Sequence, residues 1–317
     1  MPKVSIIINC HNGEKYLQEA IESVYAQTFR DWEIIFYDNA SVDGSAEIAK
    51  RCDEKLRYFR GETLIPLGAA RKTAVLLATG EWVAFLDCDD RWCPEKLSIQ
   101  LAALEGTDFV LCYAGIREIT AGGRKIRDVL PLHHSGNLVE ALLRQFDINM
   151  VTPMFKRELV SQFGLNFDDN ITASEEYNLF VRLATKGPVL VQNLLLGDYR
   201  IYPGSLTQRQ ISRWAFERRY TLGQLKQENP GLEQRYPNAF REAEARANYY
   251  EARYFMSEGR ATEARKVMMG IASVDFRYHI LYRMLYVPFL WNLAHSIRIR
   301  QFLKNLTKRF IYRFDRS

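Results

Sequence analysis

The first third of the chain alternates short apolar runs with amphipathic segments. Short apolar runs bounded by turn residues are typical of buried strands, whereas apolar residues spaced three and four apart are typical of helices. The pattern predicts strands over 4–9, 33–37, 56–60 and 82–86, and helices over 15–27, 44–51, 68–79 and 95–104. Because strands and helices take turns along the chain, we expect an α/β fold with a doubly wound, mostly parallel sheet.

Beyond this part the alternation becomes less regular. Further helices are predicted over 138–145, 176–185, 239–259 and 261–271. We therefore divide the chain into an N-terminal α/β domain, residues 1–205, and a C-terminal helical accessory region, residues 206–317, which ends in a basic amphipathic tail. The helical pair 239–271 has the spacing of one helical repeat, but no second copy follows, so a solenoid is not supported.

Composition places the chain among ordinary globular proteins. It has 317 residues, 47% of them hydrophobic and 26% charged, which is enough for one large domain and a smaller one. The five cysteines lack paired CxxC spacing, so neither a zinc site nor a disulfide framework is expected. The first residues lack the pattern of a signal peptide, and a cytoplasmic location fits best.

Carboxylates cluster after the predicted strand 82–86. Neither GxGxxG nor GxxxxGK[ST] occurs, so the chain lacks the glycine signatures of dinucleotide and P-loop proteins. Instead Asp87, Asp89 and Asp90 follow the strand, at the sheet edge where α/β proteins bind ligands. Carboxylates this close favour a shared hard cation such as Mg²⁺ or Mn²⁺. The alternative is that Asp89 and Asp90 begin the helix 95–104.

Three segments resemble a known family. They are the first strand with its loop, residues 4–12, the second strand end, residues 37–45, and the carboxylate segment, residues 80–90. In this order and spacing they resemble the nucleotide-sugar-binding half of family 2 inverting glycosyltransferases. The resemblance covers residues 3–205 and implies a GT-A fold that uses Mn²⁺ or Mg²⁺. It assigns residues 1–113 to nucleotide-sugar binding and residues 114–205 to the acceptor and catalytic half.

The resemblance also implies which residues bind the donor. Asp38 and Asn39 end the second strand, where their side chains can pair with a pyrimidine base, and Asn9 ends the first. A turn leading into the next helix is the alternative for Asp38. Arg71 lies in the first turn of a helix and matches the Arg of the family's Arg-Asn pair, so it is expected to hold a base carbonyl or a phosphate. Lys72 departs from the usual Asn.

Asp87 and Asp89 match the family's DxD motif. The resemblance makes Asp89 the metal ligand and gives Asp87 a contact to the ribose or to metal-bound water. Asp90 is expected to be structural.

Glu175 and Glu176 are the predicted catalytic pair. The segment that follows Ser174 resembles the family's Glu-Asp element, which places Glu176 where inversion needs a base for the acceptor hydroxyl. Glu stands here for the usual Asp, and one methylene moves the carboxylate by about 1 Å. The alternative is that Ser174 caps a helix and both glutamates favour its positive end. Tyr202 replaces a His found in many relatives, and with Arg200 it is a further site candidate.

The C-terminal tail is apolar and then basic. Its apolar run, residues 284–297, is shorter than the ~20 residues that a membrane-crossing helix needs. The Lys and Arg residues that follow suit an anionic membrane surface, so peripheral attachment at the inner face of the cell membrane is one hypothesis. Packing of the tail on the catalytic domain is the other. Nucleic acid is not an expected partner because no recognised binding motif accompanies the charge.

Together these features predict an inverting, metal-dependent glycosyltransferase. It would transfer a hexosyl or N-acetylhexosaminyl group from a nucleotide-sugar donor, a UDP-sugar by preference, to a hydroxyl of a glycan or lipid-linked oligosaccharide in surface polysaccharide or glycoconjugate biosynthesis. One alternative stays open, a catalytically silent nucleotide-sugar-binding or scaffold protein, suggested by Lys72, Glu176 and Tyr202. A nucleotidyltransferase would need a Gly-rich basic loop after the first strand, and residues 9–13 do not supply one.

Overall fold

A computed structural model of the chain describes residues 1–202 and 211–295. Within these ranges nine strands form one mixed sheet in the order β3-β2-β1-β4-β8-β6-β9-β5, and β7 pairs with β6 outside this path. The strands are β1 (Val4–Cys10), β2 (Trp32–Asp38), β3 (Leu56–Arg60), β4 (Trp82–Phe85), β5 (Arg91–Trp92), β6 (Leu111–Thr120), β7 (Lys125–Val129), β8 (Met154–Lys156) and β9 (Val189–Ile201).

Helices cover both faces of the sheet and continue beyond it. Those of the first half are α1 (Glu14–Tyr25), α2 (Ser45–Lys50), α3 (Leu67–Leu77), α4 (Lys96–Leu104), α5 (Val139–Arg144) and α6 (Glu158–Phe163). Those that follow are α7 (Glu175–Leu183), α8 (Ile211–Glu228), α9 (Leu232–Arg235), α10 (Pro237–Ser257), α11 (Ala261–Met269), α12 (Phe276–Met284) and α13 (Pro288–His295).

Side chains of the central strands alternate between two hydrophobic cores. Ile7 belongs to the core that includes α3 and α7, whereas Ile6 and Ile8 belong to the core that includes α1 and α4. This alternation follows from the two-residue period of a strand. Because both faces are covered, β1 is buried along its whole length. The doubly wound α/β arrangement predicted from the sequence is confirmed.

The sheet changes direction after β4. The four strands β3, β2, β1 and β4 are parallel to one another. Beyond β4 the pairs are mixed, since β8 runs antiparallel to β4 and β6 while β9 runs parallel to β6. The parallel part therefore lies where sequence alternation predicts it, and the less regular middle of the chain supplies the antiparallel strands.

The C-terminal helices pack on the catalytic half and on one another. Helix α8 lies against α7, and α10 lies against α8 and α5. A separate core joins α10 to α13. The predicted boundary at residues 205 and 206 falls outside the described ranges, so the domain division stays a prediction. Residues 296–317, the basic tail, also lie outside them. Over the part of the chain that the structure describes, no helix has the length and apolar character needed to cross a bilayer.

Candidate functional site

The predicted donor residues lie at the carboxyl ends of three neighbouring parallel strands. In the sheet register Cys10 is beside Asp38, and Ile7 is beside Phe85. The backbone amide of Asn39 donates to Cys10 O at 2.7 Å, and that of Leu86 donates to Ile7 O at 3.0 Å. The loops that follow β1, β2 and β4 therefore leave the sheet along one edge, as the strand order requires.

Asp38 is fully buried and holds its own loop together. Its Oδ2 accepts hydrogen bonds from the Tyr58 hydroxyl and from Arg60 Nη1, both at 2.6 Å, and its Oδ1 accepts from the Ser41 amide at 2.7 Å. Burial alone would raise the pKa of Asp38, but the hydrogen bonds from Tyr58 and Ser41 and the charge of Arg60 outweigh it and lower the pKa. The turn role considered for Asp38 is thus present, and its contact to a base stays a prediction.

Asn39 and Asn9 use their amides differently. Asn39 Nδ2 donates to Ile65 O at 2.8 Å, and Asn39 Oδ1 accepts from the Ile65 amide at 3.1 Å. This pair ties the loop after β3 to the strand end and occupies the Asn39 side chain. By contrast, Asn9 is 7% exposed, and neither its Nδ2 nor its Oδ1 has a hydrogen-bond partner among the described residues. A buried amide without partners is costly, which makes Asn9 a candidate ligand contact.

Two loops at this edge have strained backbones. Asn12, after β1, has φ 54°, and Ala40, after β2, has φ 58°. The Asn12 amide donates to Ser41 Oγ at 3.1 Å and Asn12 Oδ1 accepts from the Val42 amide at 2.9 Å, so the two loops brace each other. Left-handed conformations are costly for residues other than glycine and are often found at functional sites.

The carboxylates after β4 have distinct partners. Asp87 Oδ1 accepts from Arg71 Nη2 at 2.6 Å, and Asp89 Oδ2 accepts from the Tyr202 hydroxyl at 2.8 Å. Asp90 is buried and its Oδ1 accepts from the Arg200 amide at 2.7 Å, which supports the expected structural role. Burial and the charge of Asp87 raise the pKa of Asp89. Each of Asp87 and Asp89 keeps one carboxylate oxygen without a protein partner in the described ranges.

Arg71 joins the DxD loop to the predicted catalytic pair. It is 4% exposed, and its guanidinium donates to Asp87 at 2.6 Å and to Glu175 Oε1 at 3.0 Å. Gly68 allows this approach, because a Cβ there would lie 3.1 Å from Ile171 O and 3.4 Å from Glu175 Cβ. Helices α3 and α7 therefore begin next to each other, and Arg71 bridges two carboxylates of the predicted site. A buried arginine whose guanidinium pairs with two carboxylates is unlike a solvated surface arginine.

Glu175 and Glu176 differ in their partners. Glu175 is buried and paired with Arg71, whereas Glu176 has no hydrogen bond or ion pair to any residue in the described ranges. Burial raises the pKa of Glu176 to about 7, and the negative charge of Glu175 adds to the rise while Arg71 opposes it. Burial raises the pKa of Tyr199, and the negative charges of Asp90, Asp87, Asp89 and Glu176 add to the rise. A carboxylate with a pKa near neutrality and no partner can act as a proton acceptor.

The residues present suit a divalent ion held jointly with phosphates. Among residues 1–202 and 211–295, no group of three or more His, Cys, Asp and Glu side chains converges into a complete metal site. Mg²⁺ is commonly bound by one or two carboxylates together with substrate phosphates. The free oxygens of Asp87 and Asp89, at the edge where a donor would lie, fit that mode. Asp38 and Asn39 are joined to this group by no hydrogen bond or ion pair of the described residues.

Sequence reasoning did not resolve the roles of Lys72, Arg200 and Tyr202. Lys72 forms an exposed ion pair with Asp169 at 2.7 Å. Arg200 is buried, donates from Nε to Asp89 O at 2.8 Å, pairs with Glu19 and lies over the Tyr16 ring. Arg200 and Tyr202 therefore support the DxD loop from β9. Their proximity to that loop depends on the pairing of β9 with β5, a two-residue strand that the hydrophobic pattern does not reveal.

Comparison with known proteins concerns this same part of the chain. The sequence profile of glycosyl transferase family 2 matches residues 5–163, half of the chain. A glycosyltransferase of Rickettsia felis is 33% identical over 207 residues, which are 65% of this chain and 34% of that relative's length. The Escherichia coli protein WfgD, a UDP-Glc:α-D-GlcNAc-diphosphoundecaprenol β-1,3-glucosyltransferase, is 26% identical over 211 residues, which are 66% of this chain and 81% of WfgD.

Solved structures extend the likeness in fold. Staphylococcus aureus TarS (residues 1–349), in complex with UDP-GlcNAc, superposes with a TM-score of 0.69 at 18% identity over 91% of this chain and 88% of TarS. The mannosyltransferase PcManGT of Pyrobaculum calidifontis, in complex with GDP-Man and Mn²⁺, gives a TM-score of 0.59 at 17% identity over 92% of this chain and 86% of PcManGT. The predicted GT-A fold is confirmed.

Proposed function

This chain belongs to glycosyl transferase family 2, and from that premise we propose that it is an inverting, metal-dependent enzyme that uses a UDP-sugar. The observation that carries the proposal is the double bridge of Arg71, which holds Asp87 of the DxD segment and Glu175 of the catalytic pair in one cluster. In this proposal the cation site and the base site share one edge of the sheet, and the metal-dependent reaction uses both.

In the proposed reaction the donor diphosphate lies over the ends of β1, β2 and β4. Asn9, Asp38 and Asn39 would line the nucleoside side, and the free oxygens of Asp87 and Asp89 would face the phosphates. A bound Mn²⁺ or Mg²⁺ would offset the negative charge that grows on the departing diphosphate. Arg71 orients Asp87 and stays charged at any working pH, because its two carboxylate partners raise its pKa against the effect of burial.

Glu176 is the proposed base. It accepts the proton of the acceptor hydroxyl while that oxygen forms its bond to the anomeric carbon, and the bond from this carbon to the diphosphate oxygen breaks. Attack from the face opposite the leaving group inverts the anomeric centre. Glu175 is held by Arg71 and is less suited to take the proton.

The acceptor is proposed to be a hydroxyl of a lipid-linked glycan. WfgD acts on a diphosphoundecaprenol-linked sugar according to its name. On the present chain, α12, α13 and the turn between them expose Phe276, Tyr286, Val287 and Phe289 to solvent. Exposed aromatic and aliphatic side chains next to a basic tail suit an anionic membrane surface, where such an acceptor would lie. We propose peripheral attachment at the cytoplasmic face of the membrane.

Vesicle sedimentation tests the attachment. The full chain should sediment with anionic vesicles at low salt, and Phe289→Glu together with deletion of residues 296–317 should abolish this, because apolar insertion and charge both contribute. Failure of the full chain to sediment would exclude membrane attachment, and retention of the doubly altered protein would exclude this surface as the site of attachment. Both results leave the proposed catalysis intact.

A second candidate is a protein that binds nucleotide sugar without turnover. The hydrogen bond from Tyr202 to Asp89 favours it, because this hydroxyl occupies one oxygen of the predicted metal ligand. Nucleotide release with Mn²⁺, UDP-glucose or UDP-GlcNAc, and an α-GlcNAc-diphosphate-lipid acceptor separates the two candidates. The enzyme should release UDP, and Asp89→Ala or Glu176→Ala should stop it. Binding of UDP by calorimetry without release would support the silent protein.

A further inference from the structure

A carboxylate from the C-terminal helices is buried against the start of α7. Glu217, on α8, is fully buried. Its Oε1 accepts hydrogen bonds from the Thr172 amide at 2.9 Å and the Thr172 hydroxyl at 3.1 Å, and its Oε2 accepts from the Ala173 amide at 3.0 Å and the Ser174 hydroxyl at 2.9 Å. Arg213 Nε, one turn earlier on α8, donates to Oε1 at 3.0 Å. One side chain therefore fixes three consecutive residues.

These three residues directly precede the predicted catalytic pair. Ser174 is the N-cap residue of α7, yet its side chain caps no helix amide and donates instead to Glu217. The position of Glu175 and Glu176 therefore depends on a helix that begins 35 residues further along the chain. A buried carboxylate is tolerated when its hydrogen bonds are complete, so the arrangement of residues 172–174 around Glu217 is sharply defined.

Other contacts between α7 and α8 lie farther from the site. Asn178 donates to Thr221 at 3.0 Å, and Arg182, in the last turn of α7, donates to Glu228 at 2.6 to 3.0 Å. Arg182 and Glu228 thus join the same two helices at the opposite end of α7, where the Glu228 side chain is 27% exposed. Comparing the two glutamates separates an effect on helix packing from an effect on the catalytic end.

We propose that Glu217 is a positioning residue for catalysis, which sets the backbone at residues 172–174 so that Glu176 faces the acceptor while Glu175 stays paired with Arg71. The inference rests on the proposed function of Glu176. In this proposal the helical accessory region completes the active site through one buried carboxylate. The family profile, which ends at residue 163, includes neither Glu217 nor the segment it holds.

The experiment compares Glu217→Gln with Glu228→Gln in the full chain. Glu217→Gln keeps one acceptor and replaces the other by a donor, so either the Thr172 amide or the Ala173 amide loses its acceptor. We expect kcat to fall about 10- to 100-fold with the donor KM changed less than about twofold, because a displacement near 1 Å can cost about 100-fold in rate. Glu228→Gln should weaken the packing of α7 on α8 and leave kcat within about twofold.

A double-variant cycle ties the effect to the base. In a Glu176→Ala background, Glu217→Gln should cause no further loss of rate, because the group that it positions is already absent. Equal kcat losses in Glu217→Gln and Glu228→Gln, or additive losses with Glu176→Ala, would overturn the inference. If Glu176→Ala alone leaves the rate unchanged, the proposed base is wrong, which is a different failure.

A milder variant covers the case in which Glu217→Gln does not fold. Ser174→Ala removes one donor to Glu217 and leaves its other hydrogen bonds in place. This variant should lower kcat about 3- to 10-fold at unchanged donor KM. A kcat equal to that of the parent in a folded Ser174→Ala protein would also contradict the proposal.

Discussion

The donor edge and the base-bearing helix are built in different ways. At the donor edge, Asp38 is held by Tyr58, Arg60 and Ser41, all within 22 residues of it along the chain. At the start of α7, Glu176 has no partner of its own among the described residues, and the segment before it is held by Glu217 from α8. Contacts from nearby in the chain hold Asp38, whereas contacts from 43 to 45 residues away hold the segment before Glu176.

This difference indicates that the two regions of the proposed site have separate roles. A donor edge supported by its own strands can keep its shape whatever the C-terminal helices do. A base that depends on α8 couples catalysis to the accessory region, which is also where the proposed membrane surface lies. The comparison therefore predicts that changes at Asn9, Asp38 and Asn39 alter donor binding or stability, whereas changes at the proposed metal ligands and around α7 alter the rate of the chemical step.

The largest effect at the donor edge is expected for Asp89→Ala. Loss of the proposed metal ligand should lower the rate of UDP release about 1,000-fold, because the Lewis-acid contribution of such an ion is several kcal/mol and each 1.36 kcal/mol is tenfold. The control is Asp169→Ala, which removes an exposed ion pair to Lys72. A rate unchanged in Asp89→Ala with Mn²⁺ present would remove the DxD segment from the mechanism.

Asp38→Ala should mainly destabilise the fold. The substitution leaves the Tyr58 hydroxyl and the Ser41 amide without their acceptor, and the free energy of unfolding in urea should fall by about 3 kcal/mol. Glu47→Ala, an exposed position on α2, provides a control with little expected effect. If Asp38→Ala raised the donor KM without loss of stability, its main role would be base contact instead of loop structure.

The pH dependence should report Glu176. Its pKa is raised to about 7 by burial and by Glu175. Since the base must be unprotonated, kcat/KM should fall about tenfold for each pH unit below 7 and level off above it. The residual kcat/KM of Glu176→Gln should not show this decrease below pH 7. A profile that is flat between pH 5.5 and 8 in the parent enzyme would contradict this assignment.

Asn9→Ala gives the smallest expected effect and sharpens the comparison within the donor edge. Both polar atoms of Asn9 lack protein partners in the described ranges, so the stability should change little while the donor KM rises about 5- to 10-fold. Asn39→Ala is the matched control. Because Asn39 already pairs with Ile65, its loss should lower stability more than donor affinity.

The sequence predicts the arrangement of the donor edge more completely than it predicts the surroundings of Glu176. The parallel strands β1 to β4 follow from period and length alone, and their order brings Asp38 and Asp87 to one edge. The bridge from Arg71 to Glu175 spans 104 residues, and no pattern in either segment encodes it. The same holds for Glu217, whose burial depends on the packing of α8 against α7. Long-range side-chain pairs of this kind become visible when the fold is known.

The most direct test of the account is the behaviour of Glu176→Gln in the presence of Mn²⁺ and a UDP-sugar. Calorimetry should show parent-like donor affinity, because the donor edge does not rely on Glu176, while transfer to the acceptor falls about 100- to 10,000-fold, the range expected for loss of a general base. Parent-like transfer in this variant would contradict the claim that the carboxylate at 176 accepts the acceptor proton.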